Sequence, residues 1–75
     1  MTKVEGPIGP EEIAALADEV FGDYQPSSSE IRDVITKLIL ANGTPNRQVN
    51  DVLFKVKPYF LTLRRARRRL RHLAS

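Results

Sequence analysis

The chain has 75 residues, 41% of them hydrophobic and none of them cysteine, with 12 Lys+Arg against 9 Asp+Glu. This describes one small globular domain and excludes a disulfide scaffold, a thiolate nucleophile and a cysteine-based zinc site. The charge is split: Met1 to Glu30 carries seven acids and one base, Ile31 to Ser75 eleven bases and two acids, an asymmetry that suits a polyanion partner or an internal contact between the halves.

Residues 1–9, with Gly6-Pro7-Ile8-Gly9, read as a flexible N-terminal arm ahead of a single helical domain over 10–75. The start carries no apolar core of a signal peptide, and the longest apolar run, Leu38 to Ala41, is far short of a membrane span, so an intracellular protein is expected (cytoplasm, nucleoid or nucleus). Pro10-Glu11-Glu12 opens a first helix, since proline suits the first helical position and acids there complement the helix dipole. Ile13, Leu16, Ala17, Val20 and Phe21 recur at helical spacing, and Gly22 is a stop, which predicts a helix over 10–21. Glu11-Glu12 and Asp18-Glu19 read as dipole compensation and surface acids, not as a catalytic pair.

Ser27 and Glu30 have the spacing of a capping box, followed by Ile31, Val34, Ile35, Leu38 and Ile39 on one face. Asn42-Gly43 can adopt the positive φ that ends a helix, so the second runs over 28–41. Thr44-Pro45 restarts the chain, with Val49, Val52, Leu53 and Val56 inward on a helix over 45–56. Pro58 removes a donor and disfavours helical geometry at Lys57, which predicts a break, with a helix starting at Pro58 as the alternative. Tyr59-Phe60-Leu61 then reads as an apolar connector, with Tyr24, Tyr59 and Phe60 as core anchors, and Thr62 caps a last helix over 62–73. No strand pattern, internal repeat or long heptad run accompanies these four helices, so the fold class is all-α.

The last helix carries the functional signal. Six arginines fall in the eight positions 64–71. On a helical wheel Leu63, Ala66, Leu70 and Leu73 form a narrow stripe for docking, with Arg64, Arg68 and His72 opposite, Arg65 and Arg71 beside them, and Arg67 and Arg69 flanking the stripe. Guanidinium forks match phosphate oxygens and the guanine edge, and no acid follows Asp51 to neutralise them. Nucleic acid is therefore the expected partner, duplex DNA first and structured RNA second. A membrane surface is disfavoured, because the stripe is narrow and lacks Trp or Phe. The single histidine excludes a histidine metal cluster; no catalytic constellation, metal site or cofactor is expected.

Helix, tight turn, helix, short connector and basic helix follow one another from Ile31 to Ala74. That order resembles the three-helix core of helix-turn-helix and winged-helix DNA-binding domains, here without a wing, since no hairpin can follow Ala74-Ser75. More narrowly, Pro26-Ser27-Ser28-Ser29-Glu30-Ile31-Arg32, then Thr44, Arg47-Gln48-Val49 and Leu53, is similar to the C-terminal domain of DEK-type chromatin proteins. The resemblance implies a recognition helix exposing Thr62, Arg64, Arg65, Arg68 and His72, phosphate contacts from Arg67, Arg69 and Arg71, and backbone contacts from Arg47, Gln48, Lys55 and Lys57. The arginine density of the last helix exceeds the family pattern. The reading is thus a small DNA-binding regulator or architectural factor. The alternatives are RNA binding by the same helix, or a protein–protein adaptor or inhibitor using the oppositely charged helices. Leu40 and Phe54 lie off the inward faces and suggest a homodimer. The acids of the first helix could also lie against the arginines and screen them.

Overall fold

Three α-helices and one 3-10 turn account for the fold: α1 at Pro10–Phe21, α2 at Ser28–Ala41, the turn at Asn46–Gln48, and α3 at Val49–Ala74. The structure is a computed structural model that describes residues 8–74, and no strand occurs among them. The first two helices have the limits their punctuation predicts. Gly9 caps α1: its carbonyl accepts the N–H groups of Glu12 and Ile13, both at 3.1 Å, while its own N–H donates to Glu12 Oε1 at 3.2 Å. Gly22, at φ +56°, closes the helix with its N–H on the Asp18 carbonyl at 3.0 Å. At α2, Ser27 Oγ accepts from the Glu30 N–H at 3.3 Å and Ser27 N–H donates to Glu30 Oε1 at 2.8 Å, the reciprocal pair of a capping box. Asn42 stays right-handed at the end of α2, and Gly43 alone takes the positive φ of +93°.

Of the expected arm, residues 1–7 lie outside the described residues. Ile8 is tied down: its N–H donates to Asn42 Oδ1 and its carbonyl accepts from Asn42 Nδ2, both at 3.1 Å. It also packs on the core.

The core draws Ile13, Ala14 and Ala17 from α1, Ile35 and Ile39 from α2, and Val49, Leu53, Val56 and Phe60 from α3. The inward face of α2 is as predicted. That of α1 is rotated: Leu16 and Val20 are exposed, and Ala14 and Asp18 are buried in their place. Two alanines let the backbone of α1 approach α3 closely, and close approach brings the short Asp18 side chain within reach of α3.

The predicted break at Pro58 does not occur. One helix runs from Val49 to Ala74 with Pro58 inside it, so the separate helices over 45–56 and 62–73 are a single element, which starts at Val49 after the 3-10 turn Asn46–Gln48 and not at Pro45. An internal proline costs about 3 kcal/mol through the lost N–H and its clash with the carbonyl one turn back. Here the carbonyl left without its helical partner is that of Phe54, whose residue, like Pro58, faces solvent, where water can satisfy it. Val56 and Phe60 lie one turn apart on the opposite face, both completely buried. Each contributes about 1.5–3 kcal/mol by burial, and a break would pull one of them out. Thr62 is accordingly no cap: its hydroxyl donates back to the Pro58 carbonyl at 2.9 Å, inside the helix. Only Phe60 of the expected apolar connector anchors in the core; Tyr59 and Leu61 are exposed, as is Tyr24.

Continuity changes two further expectations. Val49, Val52, Val56, Tyr59, Leu63, Ala66, Leu70 and Leu73 now follow one another at alternating spacings of three and four along the whole of α3, a heptad run that a break at Pro58 would hide. The orientation of the last turns is also set by the buried Leu53, Val56 and Phe60 and not by the leucine stripe. Carried forward at 100° per residue, that face arrives at Arg64 and Arg67.

Candidate nucleic-acid interface

Arg64 belongs to the interior. Its side chain is 13% exposed and it meets an Asp18 carboxylate that is 12% exposed, Nη1 to Oδ1 at 3.0 Å. The same Nη1 donates to the Gly22 carbonyl at 2.9 Å and Nη2 donates to the Tyr24 carbonyl at 2.6 Å. A helix C-terminus presents unpaired carbonyls and favours a cation. The last turn of α1 contains no basic residue. Arg64 supplies that charge from α3, and its guanidinium carbon also lies 5.9 Å from the ring centroids of Phe21 and Phe60. The Tyr24 carbonyl is positioned in turn by its own side chain, whose hydroxyl donates to Glu30 Oε2 at 2.8 Å. That bond and the carboxylate charge push the Tyr24 phenol above its ordinary value.

Arg67 takes the rest of the Asp18 carboxylate. Nη2 donates to Oδ2 at 2.8 Å and Nε reaches both oxygens at 3.3 Å, with Asp23 3.8 Å away from Nη1. Burial disfavours the charged form of Asp18, but hydrogen bonds from Arg67 and Arg64, together with their charges, outweigh it and hold the carboxyl below its ordinary range. The same bond to Asp18 raises Arg67 above the usual guanidinium value. Two of the residues expected to face a nucleic acid, Arg64 and Arg67, are therefore engaged in fixing α1 to α3. Of the acids of the first helix, Asp18 lies against these two arginines.

The remaining candidates divide by position. Arg65, Arg68, Arg69 and His72 are exposed and occupy an arc of about 100° on the far side of α3. Together with Leu73 they line a shallow hollow of about 350 Å³. None of the four makes an ion pair among the described residues. Arg71 is exposed and borders a cleft with Arg64, Arg67, Arg68, Asp23 and Gln25. Thr62 is exposed beside this face. Arg47 and Gln48 are exposed in the 3-10 turn at the opposite end of α3, about 26 Å along the helix axis from Arg65, so they do not join the arginine cluster. Lys55 and Lys57 are exposed between the two ends, and Lys57 shares an open groove of about 580 Å³ with Arg32, Asn50 and Phe54.

Sequence reasoning missed Asp18 and the carbonyls of Gly22 and Tyr24. The available signal was the register of α1: Asp18 falls four residues after Ala14 and one after Ala17, on the face that Ile13 and Phe21 also share. Among the described residues no helix is long and apolar enough to cross a membrane. No protein-family model, curated protein or solved structure matches this chain.

Proposed function

We propose that this chain is a small nucleic-acid-binding protein that takes duplex DNA, using the outer face of the C-terminal half of α3. Arg65, Arg68, Arg69 and His72 make the phosphate and groove contacts. Arg64 and Arg67 hold the helix that presents them. The helix-turn-helix reading pairs the segments 45–56 and 62–73; these belong to one continuous α3, so the arginine-rich half presents its face as the extension of a long helix and not after a turn. The observation that carries the proposal is the hollow formed by Arg65, Arg68, Arg69 and His72, bare of acids, on a helix that Arg64 and Arg67 tie to α1. Rigid guanidinium forks lose little freedom on meeting phosphate.

Titration of a generic duplex over a salt series tests this. Three to four phosphate contacts give a slope of log K against log salt near −3, so affinity falls about 60-fold between 50 and 200 mM. Affinity independent of salt would end the reading. Tighter binding to a bulged RNA hairpin than to the duplex would move it to RNA.

A further inference from the structure

The heptad stripe of α3 outruns the core. Leu70 and Leu73 are 67% and 74% exposed and continue the line of Leu63 and Ala66. Beside them a groove of about 410 Å³ opens between α3 and the end of α1, lined by Leu63, Ala66, Leu70, Arg67 and the Asp18 and Asp23 carboxylates. Arg67 and Arg69 border this stripe on its two sides, each about 80° from its centre. A contiguous apolar strip on an exposed helix face marks a docking surface.

The charge pattern selects the occupant. Pairing the stripe with the same stripe of another copy would set arginine against arginine, since no acid occurs after Asp51. The occupant must be apolar along one edge and acidic beside it. The outer face of α1 has that character: Leu16 and Val20 are 42% and 62% exposed, one helical turn apart, and Glu12 and Glu19 lie alongside them on the solvent side. These two apolar residues, one turn apart, have a spacing close to that of Leu70 and Leu73, and the acids match Arg69 at the border of the stripe.

We infer that a second copy of this chain docks the outer face of its α1 on the leucine stripe of α3. The same contact made in both directions closes a two-fold dimer. The interface differs from the one that Leu40 and Phe54 suggest, since neither residue takes part. It does not depend on nucleic-acid binding, and it leaves His72, on the other side of α3, outside the contact.

Sedimentation equilibrium of the full chain at low salt, without nucleic acid, tests the inference, using two paired variants: Leu16→Ser with Val20→Ser, and Leu70→Ser with Leu73→Ser. All four positions are exposed, so the core is untouched, and circular dichroism checks the fold. The wild type self-associates, more weakly as salt rises. Each variant alone associates at least about tenfold more weakly. An equimolar mixture of the two recovers association, because the intact α3 of one copy meets the intact α1 of the other. A wild type that stays monomeric overturns the inference. So does an α1 variant that associates like the wild type, or a mixture that recovers nothing.

Discussion

Arg64 reaches from α3 to the Asp18 carboxylate at 3.0 Å, across 46 residues of sequence, and in the same grip donates to the carbonyls of Gly22 and Tyr24. The contact closes the C-terminus of α1 and ties it to α3. Removing Asp18 leaves Arg64 facing a buried gap and frees Arg67. Asp18→Ala is expected to lose about 3 kcal/mol, the low end for breaking a buried pair. That is a large share of the stability of a domain this size, about 5 kcal/mol. Urea unfolding followed by circular dichroism measures it.

The grip needs a planar fork. Arg64→Lys places one ammonium where three acceptors wait and gives up the stacking on Phe21 and Phe60, so about 1–2 kcal/mol is lost. Arg65→Lys, one residue on and facing solvent, stays within about 0.5 kcal/mol of wild type. Melting both variants side by side checks the contrast.

The Asp18 clamp is also acid-sensitive. Its carboxyl has a folded value held below the ordinary carboxylate range by Arg67 and Arg64 against the opposing effect of burial. The stability it contributes is complete above the ordinary value, about 3.9, and is lost as pH falls through the lower folded value. The difference in urea midpoint between wild type and Asp18→Asn therefore stays constant from neutral pH down to about pH 5 and shrinks below about pH 4. A difference unchanged down to pH 2 would show that the carboxylate charge is not what holds the clamp.

Pro58 is tolerated and not required. Pro58→Ala restores a donor for the Phe54 carbonyl and removes the ring clash, so the variant gains about 2 kcal/mol. A lower urea midpoint would mean that the proline orients the C-terminal half of α3 in a way this account omits.

The limits of α1 and α2 were legible because their signals are local: Pro10, Gly22, the Ser27–Glu30 box and Gly43 each act within a few residues. Pro58 misled for the same reason. Its cost is visible at the residue itself, whereas the gain that outweighs it, the joint burial of Val56 and Phe60, comes from α1 and α2. Once the helix was divided there, the leucine stripe became the obvious inward face. With that stripe inward, Arg64 and Arg67 point outward. The carboxylate they share is one aspartate among seven acids in the first thirty residues. Nothing near Asp18 in sequence marks it as buried except the small residues Ala14 and Ala17 on the same face.

We propose that the arginines of α3 divide into a pair that builds the fold and a set that faces a polyanion. The salt-dependence of duplex binding by the variant Arg65→Gln, Arg68→Gln, Arg69→Gln tests it most directly. The account predicts a slope of log K against log salt flattened from near −3 to near zero, with the urea midpoint unchanged. A slope that stays at the wild-type value would contradict it.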